Sequence, residues 1–554
     1  MTRGGWSSLA LLALLVCPSP AAAQPPAPLR VVGTAPNGTL ATLEEGNEIR
    51  IGFSEPMVTL GRVPTVVEAP FVRITPAMPG RFRWSGTTLL IFTPDPGTRL
   101  PYATTYTVTV DTSARSAGGR TLAAPATFTF TTPPVRLQDV RWYRRGDTVA
   151  GALVILLRFN QPVRPADIAQ HLSAATVRHE WEAPAFTAAE RARYEAQDPA
   201  GLAAFQAKVE AVTRVAAGGT PVRLRLTTNW DKTQYPEKPE QVVFETTSAV
   251  EPESHVRLAL GARVPSPAGR ATPGRTQAYV IEAEPAFFVH GFRCSAECSA
   301  DAYNPLRLRA EVPVRAFAAA LTATDITTAT PQTVRRTAAA RRDGDADDRS
   351  AFLTLEDAGF AAQPPNRKYV FGLPATLTAA DGQTLGYPWL GIVDNWHATA
   401  FTSFGDGHGV WERDGGTQLP FYARNVRDIL QWAFRIEPAQ LMGTIQQLSP
   451  GFRSPPPVAG TPRQLRFTAD RVQSQGLPLG PALSPGGTGL VWAAVQDGRI
   501  LDRTRRSSDN RSPRASIVQV TNLGVTVKDS PHNTLVFVTR LDTGAPVAGA
   551  AVSS

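Results

Sequence analysis

Apolar and polar residues alternate along most of this chain with a period of two, the signature of strands with one buried face. In its first part the alternation predicts strands at Glu48–Phe53, Phe71–Thr75, Arg81–Trp84, Thr88–Thr93, Thr105–Asp111 and Ala126–Thr132. Within IRIGFSEPM, Ile49, Ile51 and Phe53 share a face, and Pro56 stops the ladder because it has no N–H to donate. Trp84, Phe92, Tyr106 and Phe128 are assigned to the core between two sheets.

The strand-then-proline device recurs. LVILLRFNQPV carries it at Phe159 and Pro162, and PLRLRAEVPV at Ala310 and Pro313. A second device follows each copy. Tyr106, Gly119 and Leu122 stand at the same offsets as Tyr369, Gly382 and Leu385, and Val256 and Gly269 form a weaker middle copy. The pattern is an alternating strand followed by a turn in which glycine relieves the strain of a positive φ. Phe53 precedes Tyr106 by 53 residues and Ala310 precedes Tyr369 by 59, but Phe159 precedes Val256 by 97. The second unit therefore carries an insertion of about 40 residues. Its candidate is a polar helix from Ala188 to Val215, inside a segment of about 186–215, with Tyr194, Leu202, Phe205, Val209 and Val212 as a broken apolar stripe.

Repeats of this size match immunoglobulin-like sandwiches, which use roughly 100 residues and short strands. The expected division is 29–134, 135–290 and 291–404 for three sandwiches, with the helical insertion in the second. A fourth β-rich domain is expected at 405–515, where GDGHGVWE and LPFYARNVRDILQWAF open a new pattern. The stretch from Ser516 to Ser554 reads as three or four strands, too few to close a sandwich, so it is expected to be the start of an unfinished domain. The 49 Pro and 44 Gly agree with a mainly β chain rich in turns.

Residues 1–23 read as a signal peptide: Arg3, an apolar run from Leu9 to Cys17, then Ala21-Ala22-Ala23, with cleavage between Ala23 and Gln24. The run is shorter than the roughly 20 residues of a membrane-spanning helix, and no later run reaches that length. The expected location is periplasmic or secreted. Lipid anchoring through Cys17 is the weaker alternative, because the bulky Val16 precedes it and Pro18 follows. In an oxidising compartment, Cys294 and Cys298 of FRCSAEC are expected to form a local disulfide. The net charge of +9 rests almost wholly on arginine and is read as surface and solubility, since no nucleic-acid motif accompanies it.

Candidate chemistry does not change this picture. His408 lies in a glycine-rich GDGHG without the Gly-Lys-Ser/Thr ending of a phosphate loop. Asp343, Asp345 and Asp347 alternate like calcium ligands, but the sixth position has no Gly and Thr354 stands where the closing Glu belongs. Arg503 to Arg514, with Arg505, Arg506 and Arg511, reads as an exposed loop. His290 near the cysteines is too little for zinc. No nucleophile elbow is present. Catalytic, cofactor and metal residues are therefore expected to be absent.

The first unit resembles the Ig-like domain first described in bacterial surface-layer proteins, through Pro36-Asn37-Gly38, FSEPM, FTP at Phe92–Pro94, the strand at Tyr106 and FTFTT at Phe128–Thr132. LTLEDAGF, SFGDGHGVWE, LPFYARNVRDI, and TNLGVTVK followed by LVFVTRLDTGAPVAGAAV resemble the amino-terminal region of bacterial alpha-2-macroglobulins. The resemblance implies macroglobulin-like sandwiches and a periplasmic protein whose partners are proteases, trapped after cleavage of a bait segment. The family's thioester joins a Cys to a Gln three residues on, whereas Cys294 is followed at that offset by Glu297, so no thioester is expected. The alternative is a cell-surface or adhesion protein built of Ig-like spacers, associated with the cell envelope.

Overall fold

A computed structural model of the protein describes residues 28–59, 61, 67–294, 298–337, 348–405, 409–447, 458–507 and 513–553. The expected signal with Cys17, Ala23 and Gln24 lies outside the described residues, as do Asp343, Asp345, Asp347, His408 and Arg511.

The first unit contains β1 (Val31–Ala35), β2 (Gly38–Thr39), β3 (Ile49–Phe53), β4 (Val72–Thr75), β5 (Gly80–Ser85), β6 (Leu89–Pro94), β7 (Thr105–Val110) and β8 (Ala126–Thr131). Two sheets result, ordered β1-β3-β6-β5 and β2-β8-β7-β4. Apart from the short β2, this is the four-on-three arrangement of a constant-type immunoglobulin sandwich. Ile49, Ile51 and Phe53 are buried as the alternation requires, together with Trp84, Phe92 and Tyr106. Phe128 is only half-buried. Phe130, on the same face, goes deeper because the register sets it opposite Tyr106, with ring centroids 5.1 Å apart.

The second unit repeats the order with β9 (Leu137–Arg144), β10 (Leu153–Phe159), β11 (Leu172–Val177), β12 (Leu224–Leu226), β13 (Gln241–Thr246), β14 (His255–Leu260) and β15 (Gln277–Glu282). Its sheets are β12-β13-β10-β9 and β11-β14-β15. The third has β16 (Val289–Phe292), β17 (Cys298–Ser299), β18 (Leu306–Pro313), β19 (Thr322–Asp325), β20 (Gln332–Thr333), β21 (Arg349–Leu353), β22 (Arg367–Leu373) and β23 (Trp389–Ser403). These assemble as β16-β18-β21 and β20-β19-β22-β23.

The two sequence devices therefore occupy equivalent strands. β3, β10 and β18, each ended by proline, lie between antiparallel partners in the first sheet of each unit. β7, β14 and β22, bearing Tyr106, Val256 and Tyr369, occupy the middle of the second. After β7 and β22 the chain turns through Gly119 (φ 81) and Gly382 (φ 87), each turn closed by an isolated bridge. The middle copy differs. Gly269 has no positive φ. It is small because the backbone of the first unit approaches it: a Cβ there would lie 2.3 Å from the Ala103 carbonyl.

The insertion is two helices, not the single one expected. α1 (Pro165–His171) is a short turn between β10 and β11, and α2 (Ala188–Gln197) and α3 (Pro199–Ala217) follow β11. The chain breaks at Asp198 because Pro199 cannot continue a helix, and Asp198 then caps α3 through the Gly201 amide at 2.8 Å.

No spacer separates the third unit from the fourth. The early part of the 15-residue β23 pairs with β22. Its last residues, Phe401–Ser403, pair with a strand of the next unit. That unit contains β24 (Gly409–Glu412), β25 (Gln418–Arg424), β26 (Asp428–Arg435), β27 (Thr461–Gln464), β28 (Gln473–Pro478), β29 (Gly489–Asp497), β30 (Thr504–Arg506) and β31 (Arg514–Thr521). The sheet β24-β31-β29-β26-β27 shares one core with the β23-β25-β28 ladder. Ser516 was expected to open the last segment, but β31 pairs with β24 and β29 and buries Val518 and Val520 in the fourth unit's core. Beyond it, among the described residues, stands the hairpin of β32 (Leu523–Asp529) and β33 (Thr534–Arg540).

Candidate functional site

The most elaborate junction joins the insertion of the second unit to the third. In α2, Glu190 closes a capping box with Thr187, its Oε2 accepting from the Thr187 amide at 2.9 Å. The other oxygen, Oε1, accepts from the Ile392 amide of β23 at 2.9 Å. One turn on, the Tyr194 hydroxyl donates to the Pro388 carbonyl at 2.7 Å and accepts from the Leu390 amide at 2.8 Å. Gly201 of α3 is small for the same reason, since a Cβ there would meet the Pro388 ring at 2.6 Å.

The apolar stripe lies against the same surface. Phe205 sits edge-on to Tyr387, centroids 5.0 Å apart, and also contacts Phe288. Phe205 and Val212 belong to one buried cluster with Phe287, Phe288, Tyr387 and Trp389 of the third unit. Lys208 extends over the Phe288 ring at 5.0 Å and donates to the Thr384 and Leu385 carbonyls at 3.0 and 2.8 Å. Burial pulls its ammonium down to about 8. Burial likewise pushes the Tyr194 and Tyr387 hydroxyls upward, so both are neutral, and Tyr387 accepts from the Val289 amide at 3.3 Å. The arrangement binds one unit to the next.

Cys294 and Cys298 face each other as a disulfide with Cα atoms 5.4 Å apart. Cys298 is fully buried and begins β17, which pairs in parallel with β23 at Asn395 and Trp396. The arginine stretch is less free than expected. Arg503 pairs with Asp394, Thr504–Arg506 forms β30 along β23, and Arg506 binds Asp497 and donates to the Gly498 carbonyl at 2.7 Å. His290, on β16, is lowered by burial and by Arg309 and Arg307.

Sequence reading missed a half-buried network where β23 passes from the third unit to the fourth. His397 Nδ1 lies 2.8 Å from Asp470 Oδ2, and Asp470 Oδ1 accepts from the Ala398 amide (2.8 Å) and Asn425 Nδ2 (2.9 Å). Burial pushes the Asp470 carboxyl up, but the hydrogen bonds from His397, Asn425 and Ala398 together hold it below the usual range. No hydroxyl or thiol is hydrogen-bonded to His397 among the described residues. Separations of 73 and 45 residues, with no local motif, left no signal to read. Among the described residues, no group of three or more His, Cys, Asp or Glu could hold a metal ion, and no helix is long and apolar enough to cross a membrane.

Residues 25–132 match the model of a bacterial Ig-like domain. The chain carries an N-terminal bacterial Ig-like domain. No curated protein matches the chain. Among solved structures, native alpha-2-macroglobulin from Escherichia coli spanning domains MG0-NIE-MG1 aligns at 15% identity over 47% of this chain and 80% of that one, with a TM-score of 0.24. The cryo-EM reconstruction of the native E. coli protein aligns at 16% identity over 47% of this chain, with a TM-score of 0.27, and only 16% of that chain is covered. The surface layer protein SbsC, domains 1-6, aligns at 11% identity over 94% of this chain and 58% of that one, with a TM-score of 0.14. Similarities of this size are weak and partial, and they do not assign the whole chain to a family.

Proposed function

We propose that the protein is a non-catalytic, exported scaffold of the kind that forms the amino-terminal region of a bacterial alpha-2-macroglobulin. The observation that carries this reading is the interlocked series of sandwiches: the second unit's helices enter the third unit's core, and one strand serves the third and fourth. Such a series holds its members in fixed relation, which is what a framework for a larger trapping protein requires. The sequence resemblances in LTLEDAGF, LPFYARNVRDI and TNLGVTVK support the same reading. In it, 29–134, 135–290 and 291–404 are sandwiches and 405–515 is the fourth domain, with Phe287–His290 and β16 moving the start of the third before residue 291 and β31 extending the fourth past Ser516. Proteases are the partners of the larger assembly.

A second reading has its own support, the match of residues 25–132 to a bacterial Ig-like domain. In that reading the chain is a stalk of spacers at the cell envelope. The test is to incubate the purified chain with trypsin, elastase and subtilisin and assay each protease on a small peptide and on a large protein substrate. Both activities stay unchanged for a framework. Loss of the large-substrate activity alone contradicts the scaffold reading, because the chain would itself be trapping. The readings part when the chain is mixed with intact cell envelopes: a stalk co-sediments with them, and a periplasmic framework stays in the supernatant.

A further inference from the structure

Beside the disulfide the third unit has a cavity of about 340 Å³, lined by residues of Ser299–Asn304, Thr354–Glu356 and Ala362–Gln363 together with Phe292, Val393 and Asn395. Several of its polar groups are already engaged and hold the walls. Asn304 Oδ1 accepts from the Cys294 amide at 2.7 Å, the Thr354 hydroxyl donates to Asp357 at 2.9 Å, and Ser299 bonds Thr399 at 3.1 Å. Asp301 is neutralised by Arg424 at 2.5 Å.

What remains open includes two side-chain amides, one carboxylate and one aromatic ring. Asn395 is 5% exposed, and its Nδ2 donates weakly to the Pro364 carbonyl at 3.4 Å. Its Oδ1 accepts nothing among the described residues. Gln363 donates through Nε2 to the Ala361 carbonyl at 2.6 Å, and its Oε1 accepts nothing among the described residues. The exposed carboxylate of Glu356 forms no hydrogen bond or ion pair among the described residues. Tyr303, 63% exposed, supplies an aromatic ring in the same lining.

An uncompensated negative charge beside amide oxygens and an aromatic ring calls for a ligand group that donates, is cationic and is flat. Guanidinium has five N–H donors and no acceptor, pairs with carboxylate in a fork, and stacks on aromatic rings. A sugar hydroxyl can use the second N–H of the Asn395 and Gln363 amides, but it leaves the charge of the Glu356 carboxylate uncompensated. The chain's net charge of +9 repels cations in general, so capture of one requires local chemistry. We propose that this cavity binds the side chain of an arginine presented by a peptide partner.

The test uses the full chain and ligand-observed saturation-transfer NMR with acetyl-Gly-Arg-Gly-amide, its citrulline analogue, and chitobiose as a saccharide probe. The arginine peptide is expected to bind in roughly the millimolar range, with the uncharged citrulline peptide about tenfold weaker. Glu356→Gln and Tyr303→Ala alter exposed side chains that support no core, and each is expected to weaken binding about fivefold or more. The proposal is overturned if the arginine peptide shows no transfer, if citrulline binds equally well, if neither variant changes the affinity, or if only chitobiose binds.

Discussion

The hydroxyl of Tyr194 donates to the carbonyl of Pro388 at 2.7 Å, joining a helix inserted in one sandwich to the strand entrance of the next. The same oxygen accepts from the Leu390 amide at 2.8 Å, so a single side chain satisfies two backbone groups of the neighbouring unit. Such groups are costly to bury unpaired. The insertion is therefore part of the third unit's structure although the second unit supplies its sequence.

Tyr194→Phe removes both bonds and keeps the ring. We expect a loss of about 1–3 kcal/mol, the cost of leaving buried polar groups unmet, read as a lower urea midpoint with unchanged slope. No change in midpoint would show that water satisfies both groups.

Phe205→Ala opens a cavity among Phe288, Tyr387 and Phe186, to which its ring packs. Truncation of a buried phenylalanine costs about 3–5 kcal/mol. Calorimetry is expected to show a lower unfolding temperature for the transition that contains the third unit, not for the first unit alone.

Lys208 gives a pH dependence of definite sign. Its folded pKa is about 8, against 10.5 as the reference value. Between these values the unfolded chain binds more protons than the folded one, so stability contributed by this group rises with pH across that window. Wild type is expected to gain on Lys208→Met from pH 8 to pH 10.5 and to keep a constant difference below pH 8. A constant difference throughout would mean that the ammonium is fully hydrated.

Asp470 acts in the opposite direction. Its carboxyl is held below 3.8 in the folded chain, so the stability it contributes is present above that value and lost as pH falls through the folded pKa. Asp470→Asn is expected to be destabilised at neutral pH and to lose part of the wild type's acid sensitivity in urea titrations below pH 4.

The disulfide closes a very short loop. Cys294→Ser with Cys298→Ser is expected to lower global stability by at most about 2 kcal/mol, against about 5 for a bridge spanning a hundred residues. Intact mass spectrometry of protein exported to an oxidising compartment is expected to show two hydrogens fewer than the reduced chain. A fully reduced mass would refute the pairing.

Much of the fold was legible because burial acts on alternate residues of a strand. Ile49, Ile51 and Phe53 announced a buried face, and proline marked where each ladder ends, in three copies. The offset from Tyr106 to Gly119 recurred at Tyr369 and Gly382 because the same positive-φ turn follows both strands. The apolar stripe at Tyr194, Phe205 and Val212 identified a helical face, but not its partner. That face is completed by Phe287, Phe288 and Tyr387, and periodicity carries no information about residues so distant. The same holds for His397 and Asp470, which meet only because β23 continues from one sandwich into another. Gly269 matched the repeat by spacing but serves a contact with Ala103 instead, since glycine answers to close approach as well as to turns.

The central claim, that the insertion of the second unit completes the third, is tested most directly by replacing Ala188–Ala217 with a short Gly-Ser linker and following amide hydrogen exchange. The amides of Leu390 and Ile392, which donate to Tyr194 and Glu190, and the backbone of Phe287–Val289 are expected to exchange much faster, while the first unit's strand Thr105–Val110 stays protected. Unchanged protection at Leu390 and Ile392 would contradict the account.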